Sequence, residues 1–337
     1  MMPRNDFAGA LMPTFLILLL VATTSGAEEW SAPRTADGHP DFQGIWANNS
    51  ATPLERPKAF GDKATLTDEE LADLKRRLDE IREGSQAGDL LGDYLIQRVL
   101  EDPEFRGFDQ VTGNYNSFWL VDRELNNRTS LVIDPPNGRI PALTEPAMER
   151  MRAAVAYGDE VPDGPEDMTL GVRCITFGVP NTLAGYNSYF QFFQTADHVA
   201  ILQELIHDVR IIPLEDPAAL PDDLRLWHGN SRGWFEGDSL VVGTTNYSAG
   251  GGASGRATDG LKVVERFTRT GPDTMEWEIT YEDQATWVRP WTMMIDLART
   301  EEPIFEYACH EGNYGLTNIL SGARAQEREA AATGGGQ

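Results

Sequence analysis

The chain is poor in cysteine, histidine and basic residues, and each shortage excludes a class of function. It has two cysteines and five histidines, and its 28 lysines and arginines stand against 53 aspartates and glutamates. The resulting formal charge of −25 repels phosphate backbones, and no basic stripe offsets it, so the sequence predicts no nucleic-acid partner. After the N-terminal segment, no apolar run approaches the roughly 20 residues of a membrane span, which predicts no stable membrane insertion.

Familiar catalytic motifs are also missing. The sequence has no G-x-S-x-G elbow, no P-loop, no G-x-G-x-x-G after a strand, no C-x-x-C-H haem site and no EF-hand loop. No cofactor is therefore predicted. A divalent metal at His207 and His310 stays open as an alternative, although their spacing matches no compact ligand motif.

Residues 1–27 are typical of a secretory signal peptide. Arg4 supplies the positive charge, residues 16–21 form the centre of an apolar run, and residues 23–27 are small enough for signal-peptide cleavage. The alternative is a buried N-terminal helix. We expect an exported protein, periplasmic or extracellular.

An exported protein with an even number of cysteines favours a disulfide, here between Cys174 and Cys309. Such a bond would hold residues 309–314 (CHEGNY) against Arg173 and Cys174. A catalytic thiol beside His310 is the alternative, although exported thiols tend to be oxidised.

Two helices are predicted in the first half of the chain. Thr67 and Glu70 form a capping box ahead of apolar residues at helical spacing, and Gly84 stands where the helix should end. A shorter helix begins near Thr144 and is expected to turn three apolar side chains inward: Met148, Met151 and Val155.

Most of the remaining chain alternates between apolar and polar residues with a period of two, which predicts antiparallel strands. The predicted strands are residues 42–46, 189–194, 199–204, 232–236, 239–245, 261–269, 275–281 and 290–297. Successive hairpins with few helices between them predict a mainly β fold, an antiparallel lipocalin-like β-barrel with N-terminal helical elaborations. The expected organisation is an N-terminal lead-in over residues 28–110, a barrel over 111–324 and a disordered tail over 325–337.

Five stretches resemble a large family of secreted bacterial proteins common in environmental proteobacteria and acidobacteria. They are residues 40–46 (PDFQGIW), 115–119 (YNSFW), 128–136 (RTSLVIDPP), 231–238 (SRGWFEGD) and 309–314 (CHEGNY). The resemblance covers nearly all of the mature chain. It implies export and a shared architecture, and it implies no activity. Residues 44–46 (GIW) are also similar to the first strand of lipocalin-like barrels.

The CHEGNY segment is the main candidate for catalysis, because a plain strand or helix does not require its mixture of residues. We expect His310 to shuttle protons with Glu311 or Glu265 as its carboxylate partner. His207 is a further candidate base. Alternatively, His207 and His310 only hydrogen-bond backbone or carboxylate groups at strand ends. Developing negative charge would be stabilised by one of three groups: Tyr314, Arg210 or Arg232.

Glu265 shares a face with Val263 and Phe267 in the predicted alternation, so its carboxylate should point into an apolar interior. Pairing with Arg210 or Arg289 is one interpretation, and a carboxyl with a raised pKa that acts as an acid or base is the other. A one-residue slip in register would turn the side chain outward.

Aromatic residues beside hydrogen-bonding groups suggest a cavity that stacks a ring. The candidate ligand-binding residues are Tyr115, Trp119, Tyr186, Asn187, Arg210, Trp227, His228, Arg232, Trp277 and Asn313. The same pairs also suit turns at strand starts. We therefore expect an enzyme that acts on a small organic molecule by acid–base hydrolysis, elimination or isomerisation. A periplasmic carrier and a structural protein are the alternatives, and the oligomeric state is not indicated.

Overall fold

The computed structural model describes residues 30–84, 99–102, 121, 123–158, 161–214, 220–221, 223–252 and 258–334. The predicted signal peptide, the predicted domain boundary at residue 110, and the candidate residues Tyr115 and Trp119 lie outside these ranges. Residues Ser31–Gln337 belong to one compact unit, and Met1–Trp30 to a second unit.

The described part of the chain is dominated by a ten-stranded antiparallel sheet. Its strands are β1 (Gly44–Ala47), β2 (Val132–Asp134), β3 (Tyr189–Gln194), β4 (His198–Gln203), β5 (Val209–Pro213), β6 (Asn230–Glu236), β7 (Ser239–Thr245), β8 (Lys262–Arg269), β9 (Thr274–Glu282) and β10 (Trp291–Thr300). They lie in the order β5-β4-β3-β1-β10-β9-β8-β7-β6, and β2 pairs with β10 outside this path. The mainly β, antiparallel prediction is confirmed.

The period-two pattern places one face of the sheet inside. In β9, Met275, Trp277, Ile279 and Tyr281 are buried while the residues between them are half-exposed. In β8, Val263 and Phe267 are buried beside Glu265, which confirms the face expected from the alternation. Phe267 stacks on Trp277 with ring centroids 5.5 Å apart, so the curled sheet encloses a packed aromatic core.

The predicted barrel is not confirmed, because the sheet stays open between its edge strands. Within the described residues no hydrogen-bonded ladder joins β5 with β6. The two strands meet through side chains instead. A Cβ atom at Gly233 of β6 would lie 3.0 Å from carbon atoms of both Ile212 and Leu214, so glycine permits this close approach.

Helices lie outside the sheet. Helix α1 (Asp68–Gly84) begins with the predicted capping box: the Glu70 amide donates to Thr67 Oγ1 at 3.2 Å, and the Thr67 amide donates to Glu70 Oε2 at 2.9 Å. Within the described residues, no helix is both long enough and apolar enough to cross a bilayer.

Helix α2 (Glu145–Gly158) confirms the second predicted helix but not its buried face. Met151 and Val155 are 49% and 63% exposed, and Ala147 is buried in their place. Helix α3 (Tyr314–Gly334) continues through residues that were predicted to form a disordered tail. Ala and Glu are strong helix formers, which accounts for its length.

Candidate functional site

A buried ion pair lies on the inner face of the sheet. Glu265 is fully buried, and its carboxylate receives two hydrogen bonds from Arg210, one of them Nη2 to Oε1 at 3.0 Å. Trp277 Nε1 donates a third at 3.1 Å. Burial alone would lower the pKa of Arg210, but the charge and hydrogen bonds of Glu265 raise it. Of the two partners expected for Glu265, Arg210 is the one found. Arg289 pairs with Asp134 at the surface.

Two tyrosines near this pair are held in their neutral form. Burial raises the pKa of Tyr247 and of Tyr281, and the negative charge of Glu265 raises both further. Tyr247 is fully buried, so its hydroxyl is shielded from solvent. The interior is therefore a place where a further negative charge is strongly disfavoured.

Two adjoining cavities give access to this region. The inner one has a volume of about 20 Å³, enough for one water molecule, and is lined by Arg210, Asp208 and Trp277 among others. The outer one is a groove of about 1070 Å³. Pro180 and Asn181 line both, so the groove leads to the inner cavity.

The groove exposes large apolar side chains. Phe177, Leu183 and Trp227 line it and are 42%, 47% and 44% exposed. Its described lining also includes Ser50, Thr52, Leu54, Arg123, Leu131, Glu166, Arg173, Thr176, Tyr186 and Met293. An apolar concave surface with a few polar groups is the usual form of a small-molecule site.

A hydrogen-bonded chain of three side chains lies where the two cavities meet. Thr176 Oγ1 donates to Asp208 Oδ2 at 2.7 Å and lies 2.8 Å from His228 Nε2. The Gly178 amide donates to the same hydroxyl at 2.8 Å. Thr176 lines the groove, Asp208 lines the inner cavity, and His228 follows the groove residue Trp227.

The tautomer of His228 follows from this network. Thr176 has one hydroxyl proton, and Asp208 receives it. His228 Nε2 must therefore carry a hydrogen and donate it to Thr176. In a neutral ring this leaves Nδ1 as an acceptor, and it makes no hydrogen bond with the described residues. The His228 side chain is 27% exposed, so part of the ring is open to solvent.

The CHEGNY segment holds one wall of the groove in place. Cys309 forms the predicted disulfide with Cys174, with the two Cα atoms 5.8 Å apart. Asn313 Nδ2 donates to the Val172 carbonyl at 2.8 Å. The segment therefore fixes the turn that carries Arg173 and Thr176, as the expected disulfide implied.

The residues predicted for catalysis are not brought together. His310, Glu311 and Tyr314 are exposed, and Tyr314 is 74% exposed. His207 is also exposed, and its Nδ1 lies 3.2 Å from the Tyr307 carbonyl, which matches the backbone-bonding alternative. Glu265 lies in the interior with Arg210. No contact joins Glu265 to His310 among the described residues, so the structure does not assemble a His310–carboxylate pair.

Several candidate ligand-binding residues do line the cavities. Tyr186 and Trp227 line the groove, while Arg210 and Trp277 line the inner cavity. The remaining described candidates take other positions. Asn187 is buried with a φ of 44°, Arg232 lies on the outward-facing positions of β6, His228 belongs to the three-residue chain, and Asn313 supports Val172.

Sequence reasoning missed Thr176, Asp208 and Arg173 as site residues. Asp208 follows His207, and the sequence favoured the histidine, although the aspartate is the residue that contacts Thr176. The signal for Thr176 was its position two residues after Cys174. A disulfide that fixes Cys174 also fixes Thr176, but only the fold could bring His228 to it.

The described residues contain no cluster of three or more His, Cys, Asp or Glu side chains suited to a metal ion. Comparison of the chain with protein-family models, curated proteins and solved structures finds no match.

Glu204 is a second buried carboxyl, which the sequence did not reveal. It is 1% exposed, and its Oε1 accepts a hydrogen bond from the Phe305 amide at 3.0 Å. Its Oε2 has no hydrogen-bond partner among the described residues. Burial raises the pKa of Glu204, and the Phe305 amide and the Asn187 side chain only partly oppose this.

We expect Glu204→Gln to stabilise the protein at pH 8. A carboxyl whose pKa is raised on folding stabilises the folded state when protonated, and this stability is lost as the pH rises from its ordinary pKa of 4.5 through the raised value. The gain in the free energy of unfolding should be smaller at pH 5. Urea unfolding at pH 5 and pH 8 measures this gain. The exposed Glu302→Gln is the control, and an equal gain at both pH values would contradict the argument.

Proposed function

We propose that the protein is an exported enzyme that binds a small organic molecule in the groove and transfers a proton to or from it. The observation that carries the proposal is the Asp208–Thr176–His228 chain at the inner end of the groove. The disulfide supports export, because disulfides persist in oxidising compartments.

His228 takes the role of proton acceptor. Asp208 holds the Thr176 proton, and Thr176 in turn accepts from Nε2, so a positive charge formed on the ring is stabilised through the hydroxyl. Asp208 Oδ2 also lies 3.5 Å from Nε2, close enough for direct electrostatic support. Hydrolysis, elimination and isomerisation all use such a base. This assignment replaces His310 by His228.

A carrier of an apolar or aromatic ligand is the second candidate. The exposure of Phe177, Leu183 and Trp227 favours it, because these side chains offer stacking and apolar contact to a bound ring without any chemistry. Both functions use the same groove. They differ in whether His228 contributes to turnover.

A substrate screen in D₂O tests the proposal. Cyclic and aromatic esters, lactones and carbonyl compounds are incubated with the mature protein, and proton NMR reads hydrolysis, elimination, isomerisation and exchange of acidic C–H protons. We expect His228→Gln to lower turnover by roughly 10²–10⁴-fold, the usual contribution of a general base.

The matched control is His198→Gln. His198 also pairs with an aspartate, Asp197, at 3.1 Å, but it is exposed at the start of β4, and its described contacts include neither Thr176 nor Asp208. We expect the turnover of the His198→Gln variant to equal that of the unsubstituted protein. Turnover that is the same in the His228 variant would overturn the assignment, and binding without any turnover would favour the carrier.

A further inference from the structure

Among its described lining residues, the groove carries a charge opposite to that of the whole chain. Acidic residues outnumber basic ones 53 to 28 in the whole chain. Among the described residues that line the groove, the charged ones are Arg123, Arg173 and Glu166, so the basic residues predominate. A local reversal of this kind indicates that the groove meets a negatively charged group.

Arg173 lines the groove and has no carboxylate partner among the described residues. Its side chain is half-buried, and it forms no ion pair or side-chain hydrogen bond within the described residues. Two other arginines of this acidic protein pair with carboxylates, Arg289 with Asp134 and Arg128 with Asp296. An unpaired guanidinium in a partly desolvated groove is unfavourable unless a ligand supplies the anion.

The backbone around Arg173 is fixed on both sides. Asn313 donates to the carbonyl of the preceding Val172 at 2.8 Å, and the following Cys174 is joined to Cys309. The Arg173 amide also donates to the Thr169 carbonyl at 3.1 Å. A binding group whose backbone is already ordered loses less entropy when a ligand binds.

Arg123 contributes a second, oriented positive charge. Its Nε and Nη2 donate to the Ser50 carbonyl at 2.9 and 2.6 Å, and both Arg123 and Ser50 line the groove. The contact with the Ser50 carbonyl holds the guanidinium of Arg123 in a fixed orientation beside the groove.

We propose that the ligand of the groove is an organic acid whose carboxylate binds Arg173 and whose apolar, ring-bearing body contacts Trp227 and Phe177. A planar guanidinium matches a carboxylate with two parallel hydrogen bonds, and the exposed aromatic side chains match a ring. The proposal rests on the groove being the site of the proposed function, and it adds the chemical class of the molecule bound there.

Calorimetric titration with two probes tests this inference. The probes are 2-naphthoate and its neutral isostere 2-naphthamide, each titrated into the full mature protein with its disulfide intact. We expect 2-naphthoate to bind more tightly than 2-naphthamide, and Arg173→Gln to weaken 2-naphthoate binding about tenfold or more while leaving 2-naphthamide unchanged.

Arg76→Gln is the matched control, because it removes the same charge from helix α1, where Arg76 is 62% exposed and pairs with Asp73. It should bind both probes as the unsubstituted protein does. Equal binding of the two probes, no effect of Arg173→Gln, or failure of 2-naphthoate to bind would each overturn the inference.

His228→Gln separates this inference from the proposed function. The variant should keep its affinity for 2-naphthoate, since binding of the carboxylate does not need proton transfer. Arg173-dependent binding in a protein that shows no turnover would support the acid-binding groove and overturn the enzyme. Turnover that depends on His228 and is unchanged by Arg173→Gln would support the enzyme and overturn the acid-binding groove.

Discussion

Glu265→Leu is expected to destabilise the protein by about 3–5 kcal/mol, because it leaves the buried guanidinium of Arg210 without its counter-charge. Glu265 is fully buried and accepts hydrogen bonds from both Arg210 and Trp277. The double variant Arg210→Met, Glu265→Leu should recover most of this loss, since it removes both charges and fills the space with apolar atoms. Urea unfolding of the single and double variants gives the coupling free energy.

A surface pair between β8 and β6 provides the control. Arg266 follows Glu265 in β8 but points outward, where it pairs with Glu236. Glu236→Gln should have a much smaller effect, because exposed ion pairs are solvated and contribute little. If the double variant is no more stable than Glu265→Leu alone, the loss arises from packing, not from the unpaired charge.

The alternating pattern of the strands predicted the inward face with a one-residue slip in register left open, and the structure confirms that face in β8. Glu265 is the clearest case, because its position between Val263 and Phe267 leaves only one face available in a strand with period two. The capping box at Thr67 likewise determined where helix α1 begins. These features depend on residues that are close in the sequence, so a single sequence contains the information.

Closure of the sheet depends on contacts between distant strands and could not be predicted in the same way. Hairpin signals predict that consecutive strands such as β6 and β7 are neighbours. They do not indicate whether the two edge strands, β5 and β6, hydrogen-bond to each other. The contact of Gly233 with Ile212 and Leu214 joins distant parts of the chain, so it follows from the fold and not from the local sequence. The buried face of α2 was missed for the same reason, since Met151 and Val155 have helical spacing but remain exposed in the fold.

The candidate site was predicted in part, and the rest of it could not be predicted from the sequence. Trp227 and Tyr186 were predicted as ligand contacts from their chemistry, and both line the groove. The His228–Thr176–Asp208 chain unites three separate segments, so local spacing gives no sign of it. The CHEGNY segment was correctly selected as unusual, but the contacts of Cys309 and Asn313 account for its composition without assigning chemistry to His310.

Loss of the disulfide is the second change for which we expect a large effect. Cys174 and Cys309 are 135 positions apart, and closing a loop of that length stabilises the folded state by about 5 kcal/mol on the chain-entropy model. The Cys174→Ser, Cys309→Ser variant should therefore unfold at a much lower urea concentration. Its affinity for 2-naphthoate should also fall, because Arg173 and Thr176 lie on the turn that the bond holds.

Reduction provides an independent test of the same bond, since these are the only two cysteines in the chain. Reductant should shift the urea midpoint of the unsubstituted protein towards that of the double variant and should leave the double variant unchanged. An unchanged midpoint on complete reduction would show that Asn313 and the neighbouring contacts suffice to hold the turn. In that case the groove would keep its geometry without the bond, and the affinity for 2-naphthoate would survive reduction as well.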